Sequence, residues 1–258
     1  MSEMKGARLV RWAVVLGLAG AFACSSGEEA YQRGYRDGRA ASVPSDEAII
    51  NRFHKMFYER RTQTWLANRW LGVQASQNPN DVWITQEILY EQKPDLMVEA
   101  GTKYAGSALI WAMLLKEVNP NARVITIDIE DKIGRARNLA LFRERIDFLL
   151  GSSTDPKIVE EVRRRAAGKK VVVLLDSNHS RNHVLAEMRA YSPMVNIGSY
   201  MIVQDGNLSG HPIEELMKGG PWEAISAFVE ENTDFMIDRT RERLMLTFCP
   251  RGYLKRIR

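Results

Sequence analysis

After Pro94 the sequence changes period, and that change limits the fold more than any other feature. Short, continuously apolar runs at residues 95–99, 123–128, 146–150, 170–176 and 199–205 alternate with stretches whose apolar residues recur at helical spacing. The helical pattern covers residues 106–118, 134–144, 156–167, 183–195 and 222–231. Strands that are apolar throughout, separated by helices, require a mostly parallel sheet covered on both faces. Two further apolar runs, 243–248 and 253–257, flank Pro250-Arg251-Gly252 and predict a C-terminal antiparallel hairpin at the sheet edge. The expected fold class is therefore α/β.

Ahead of this region, Ile49, Ile50, Phe53, Phe57 and Trp65 predict a helix over residues 46–69. A turn at Trp70-Leu71-Gly72-Val73 follows, then a second helix over 81–92. Residues 46–93 are thus expected to form a helical cap on a domain spanning 94–258. The first residues differ in kind: Lys5, Arg8 and Arg11 precede an apolar stretch from Trp12 to Phe22, followed by Ala23-Cys24-Ser25-Ser26-Gly27. A basic start, a short apolar run and small residues before a cysteine make a secretory, lipoprotein-like pattern over residues 1–24, with Cys24 as the acylated residue. The apolar run is shorter than the roughly 20 residues of a spanning helix. Residues 25–45, polar and small, read as a linker. This pattern predicts a membrane tether through Cys24. Two cysteines exclude a disulfide framework. The net charge of +4 is spread along the chain, with no block dense enough for nucleic acid.

The strands end in carboxylates: Glu99, Asp128, Asp176 and Asp205. Ligands of open α/β sheets bind beyond the carboxyl ends of strands, so these residues are candidates for chemistry. The plainer alternative is that each caps the helix that follows. In Glu99-Ala100-Gly101-Thr102-Lys103-Tyr104-Ala105-Gly106-Ser107, the two glycines permit a sharp turn, and the next helix offers free N–H groups. Neither a G-x-G-x-x-G nor a P-loop is present. With Asp128 placed to accept both ribose hydroxyls, the pattern indicates a nucleoside ligand without pyrophosphate, for which S-adenosylmethionine is the natural candidate. Asp176 and Asp205 end adjacent predicted strands and can converge, and Gln204 adds an amide oxygen. All-oxygen ligation suits Mg²⁺ or Ca²⁺, and Gln204 supplies a dipole where a carboxylate would supply charge. His179 is placed to take a proton from a substrate hydroxyl. His183 reads as a packed helix residue, although its spacing from His179 also suits a transition metal.

Several stretches resemble the cephalosporin hydroxylase/rhamnosyl O-methyltransferase family: residues 83–89, 94–102, 106–109, 200–205 and 220–222, and the end 252–256. The most specific is Asp176-Ser177-Asn178-His179-Ser180-Arg181-Asn182-His183-Val184. The resemblance runs over roughly residues 50–258. It implies a Rossmann-like class I methyltransferase fold that binds S-adenosylmethionine, with Mg²⁺ beside a methyl acceptor. Carried over, it places Glu99, Gly101, Thr102 and Ser107 around the methionine part, Asp128 on the ribose, and Ser152 and Ser153 by the adenine. Asp176, Gln204 and Asp205 fall on metal positions, and Asp176 and His179 on catalytic ones. The family usually has Glu where this chain has Gln204. The expected activity is O-methylation of a small-molecule or glycolipid acceptor, by a homo-oligomer; a methyl donor made in the cytosol would place the enzyme in the cytoplasm, against the tether expected through Cys24. The rival expectations are an iron oxygenase built on His179, His183 and Asp176, or its accessory protein, or an exported, non-catalytic lipoprotein keeping the fold.

Overall fold

A computed structural model describes residues 29–34, 36, 44–213 and 219–258. The signal-like segment with Cys24 and most of the 25–45 linker lie outside the described residues. The chain divides into two units, residues 1–49 and 50–258. Among the described residues no helix is long and apolar enough to cross a membrane.

Helix α1 (Asp46–Glu59) stops short of the expected residue 69. The run from Arg60 to Thr64 has no apolar residue to hold a buried face, and side chains beyond it turn back onto the free carbonyls of the helix end. Thr64 Oγ1 donates to Phe57 O at 2.7 Å and Trp65 Nε1 to Tyr58 O at 3.3 Å. A small ribbon follows, β1 (Arg69–Trp70) and β2 (Val73–Gln74), around the expected turn. Then comes α2 (Pro79–Gln92), whose N-cap Asn78 accepts from Asn80 N, with Pro79 in the first turn.

The alternating region gives β3 (Leu96–Ala100), α3 (Gly106–Val118), β4 (Arg123–Asp128), α4 (Ala140–Arg145), β5 (Ile146–Leu150), α5 (Pro156–Ala166), β6 (Val171–Leu175), α6 (Arg181–Tyr191) and β7 (Tyr200–Val203). The helix expected over 134–144 is broken at Leu139, which is extended between a 3-10 turn (Gly134–Asn138) and α4. Last come α7 (Pro221–Glu231), β8 (Phe235–Ile237) and β9 (Tyr253–Arg256).

The sheet order is β5-β4-β3-β6-β7-β9-β8, with β3 to β7 parallel and β8 and β9 antiparallel. The antiparallel end was expected, but its strands are not those of a 243–248/253–257 hairpin. Residues 243–248 are not a strand, and β9 pairs instead with β7 on one side and β8 on the other. The cause is a buried carboxylate. Asp81 on α2 accepts from Phe248 N at 2.7 Å and from Thr247 Oγ1 at 2.5 Å, which pins this segment to the helix. Leu244 and Met245 are left exposed, where strand pairing would have buried one face.

Alternate residues of each strand feed one of two cores. Leu96, Val98 and Ala100 pack with α5, α6 and α7, while Met97 faces α2 and α3. The order reverses between β3 and β6, and a cleft opens at their carboxyl ends.

Candidate active site

Gly101 lets the ends of β3 and β6 meet. Its φ is +100°, and a Cβ there would lie 1.9 Å from the backbone oxygen of Asp176, so no other residue fits. Beyond it, Lys103 and Ala105 also take left-handed conformations, and the loop folds over the end of β4. The amides of Thr102 and Lys103 donate to Asp128 Oδ2 at 3.1 and 2.7 Å, and Glu130 N donates to Oδ1 at 3.1 Å. Asp128 thus shapes the loop that it was expected to face across a ribose, and it still lines the cleft beside Gly101, Thr102 and Ser107.

Glu99 is placed differently from expectation. It is fully buried and does not line the cleft, because the alternation of β3 turns it onto the face under α3. Trp111 Nε1 and Thr126 Oγ1 donate to it at 2.8 and 2.6 Å. Thr126 is 2.7 Å from Thr102 Oγ1, so Glu99 supports the loop from beneath rather than meeting a ligand. Burial pushes its carboxyl up to about 7 against these hydrogen bonds.

Ser152 and Ser153, expected by the adenine, follow β5 and border the cleft. The Ser153 hydroxyl is engaged: it donates to Glu187 Oε1 at 2.5 Å and lies 3.1 Å from His183 Nε2. Ser177 Oγ donates to the same Glu187 oxygen at 2.6 Å. His183 is therefore a wall residue tied to Ser153, and its hydrogen bond with Glu187 raises its pKa. No sequence signal marks Glu187, since a carboxylate inside an amphipathic helix reads as solvated.

On the other side of β6, Asp176, His179 and Asp205 converge, each offering a ligand atom within 4.8 Å of the others. His179 Nε2 lies 3.0 Å from Asp205 Oδ2 and 3.5 Å from Asp176 Oδ1. Burial opposes a charge on the ring, but Asp205, then Asp176, outweigh it and hold the imidazole up to about 9. Gln204 lines the cleft beside them, and its Nε2 donates to Gln77 Oε1 at 2.8 Å. Gln77 Nε2 donates in turn to Asp176 Oδ2 at 3.0 Å. Sequence gave no hint of Gln77, which reaches the site from a polar loop. The carboxylate pair with an amide beside it fits a hard divalent cation. The oxygenase grouping of His179, His183 and Asp176 does not assemble, because His183 faces Ser153 and Glu187.

The cation cluster and the Asp128 loop share one cleft of about 670 Å³. Its far wall carries Tyr58, Trp65 and Phe248. That volume is within the range of small-molecule sites and holds a nucleoside together with a second reactant.

Residues 62–257 match the family model described as rhamnosyl O-methyltransferase/CmcI. Curated relatives named rhamnosyl O-methyltransferase include one from Mycobacterium tuberculosis (strain H37Rv), 36% identical over 219 residues, covering 83% of this chain and 86% of the relative. Another, from Mycobacterium leprae, is 35% identical over 217 residues, covering 83% and 92%. Among solved structures, CmcI without ligand aligns at a TM-score of 0.58 and 21% identity, over 75% of this chain and 77% of that one. CmcI with Mg and SAM aligns at 0.57 and 19%, over 75% and 78%. At these identities the structures bear on the fold alone. By the extent of the family match and the identity to its curated relatives, this chain belongs to the rhamnosyl O-methyltransferase/CmcI family of class I S-adenosylmethionine-dependent methyltransferases.

Proposed function

We propose that this protein methylates a hydroxyl group on a sugar-bearing acceptor, a glycolipid or glycosylated metabolite, with Mg²⁺ held beside that hydroxyl. The observation that carries this reading is the placement of Asp176, His179 and Asp205 in the same cleft as the Gly101–Ser107 loop and Asp128. The rhamnosyl names of the curated relatives support a sugar as the acceptor.

The donor brings an already electrophilic methyl group, so the protein has to align two reactants and manage one proton. The Gly101–Ser107 loop and Asp128 hold the nucleoside end, and the exposed side chain of Ile129, next to Asp128 on the cleft wall, gives the base an apolar surface. Asp176, Asp205 and the Gln204 oxygen would hold Mg²⁺, which would lower the pKa of an acceptor hydroxyl and orient it. His179 lines the same cleft, with Asp205 and Asp176 bearing on its ring, and would receive the proton that the hydroxyl gives up. A tether through Cys24, where present, would bring the cleft to a lipid-borne sugar.

The test is transfer of labelled methyl from S-adenosylmethionine to rhamnosyl glycosides, with Mg²⁺ and with a chelator. A methylated sugar that depends on Mg²⁺ is expected. Failure of the donor to bind in calorimetry, or turnover that needs iron and 2-oxoglutarate, would overturn the reading.

A further inference from the structure

We infer that Gln77 is a positioning residue for the cation site, one that sets which atom Gln204 turns toward a metal. The inference rests on the reading that Asp176 and Asp205 hold a divalent cation. Its basis is the chain of side chains Gln204–Gln77–Asp176, whose direction chemistry fixes. An ionised carboxylate only accepts hydrogen bonds, so the amide facing Asp176 Oδ2 has to present its NH₂, as Gln77 does at 3.0 Å. That leaves the Gln77 oxygen for its other neighbour, and Gln204 has to meet it with its own NH₂, at 2.8 Å. The polar atom left to Gln204 is an oxygen, the atom a hard cation can use.

Without Gln77 the preference reverses. Two carboxylates beside an amide draw its NH₂ toward themselves, and a flipped Gln204 would fill the site with donors. A glutamate at 204 has no such ambiguity, since both its ends are oxygens. Gln77 is thus the support that a neutral residue at 204 requires.

The geometry suits that task. Gln77 is 3% exposed, and its backbone is tied down on the side that leads into α2. Asn68 Nδ2 donates to its carbonyl at 2.9 Å, and the next residue, Asn78, caps α2 and donates to Asp81 Oδ2 at 2.9 Å. Little side-chain freedom remains to be lost when a cation binds.

The test is a double-mutant cycle read by Mn²⁺ binding, followed by electron paramagnetic resonance, in the full chain. Gln77→Met keeps the length and removes the polar atoms, and Gln77→Ala is the second variant should Met disturb packing. In the Gln204 protein each is expected to weaken Mn²⁺ about tenfold or more, the equivalent of losing a well-made hydrogen bond to a charged group. In the Gln204→Glu background the same changes are expected to cost about threefold or less, because polarity at 204 no longer depends on Gln77. Affinity for S-adenosylhomocysteine, held at the other end of the cleft, is expected to stay level and reports that the variants are folded. Equal losses in both backgrounds, or no loss in either, overturn the role of Gln77. No Mn²⁺ binding by the unmutated protein overturns the cation reading and this inference with it.

Discussion

At the scale of single residues, each candidate's role follows from what its polar atoms already touch. His179 is in contact with both acidic partners and faces the cleft, so removing it should affect proton transfer and leave the nucleoside end intact. General-base help is worth about 10²–10⁴-fold, and His179→Ala is expected to lose turnover of that order with donor affinity nearly unchanged. Single-turnover methyl transfer and calorimetry check the two halves, and unchanged turnover would remove His179 from the mechanism. Gln204 gives the opposite expectation. Replacing it by Glu adds a charge beside Asp205, and Mg²⁺ titration should show tighter binding. Glu99 shows how type and position can mislead: a carboxylate at a strand end looks like a ligand, yet one step of β3 alternation turns it inward to Trp111 and Thr126.

At the scale of elements, the loop between β3 and α3 is the most tightly specified part of the site. Gly101 crosses the Asp176 carbonyl, and Gly106 lies where a Cβ would come within 2.1 Å of the Gln74 oxygen on β2. These glycines could be picked out in the sequence as turn formers, but not as points where two strands or a ribbon and a helix cross. Gly101→Ala combines a strained φ with a backbone clash, and is expected to cost about 3 kcal/mol or more in urea unfolding. S-adenosylhomocysteine binding should weaken in the same variant, since Thr102 and Lys103 would lose their register on Asp128. The helix start at Asp155-Pro156 was legible, where a cap and a proline mark it, whereas α2 begins at Pro79, two residues ahead of the expected start at Asp81. The strand expected over residues 243–248 failed because Asp81, far away in the chain, decides where that segment goes.

At the scale of the whole molecule, contacts across long sequence distances hold the aromatic wall of the cleft. His54 on α1 stacks on Phe248, with ring centroids 5.6 Å apart, and its Nε2 lies 3.0 Å from Asn207 Nδ2. Asp81, wholly buried and pushed up by that burial, receives Tyr253 OH at 2.9 Å as well as residues 247 and 248. Burial lowers His54 to about 4, so the native protein refuses a proton that the unfolded chain takes up near 6.5. The unfolded state then binds more protons between those values, and stability falls as pH drops from about 6.5 to about 4 and is fully present above. The loss ascribed to His54 is about 3 kcal/mol over that window, from roughly 1.4 kcal/mol per pH unit. His54→Gln, which keeps an acceptor for Asn207, is expected to flatten the slope of unfolding free energy in that window, and an unchanged slope would acquit His54.

The sequence by itself determined the α/β architecture, the carboxylates at the strand ends and the loop glycines, because period, turn chemistry and strand length act over a few neighbouring residues. Asp176, His179 and Asp205 were legible for the same reason: each closes or follows a strand whose end is marked locally. Only the tertiary structure decided what Glu99 packs against, that Gln77 and Glu187 hold the residues lining the cleft, and that β8 rather than residues 243–248 completes the sheet. Each of those outcomes depends on a partner far away in the chain, Trp111 for Glu99 and Asp81 for Thr247 and Phe248 among them. A buried polar group takes whichever partner the fold brings within hydrogen-bonding distance, and no local pattern encodes that choice.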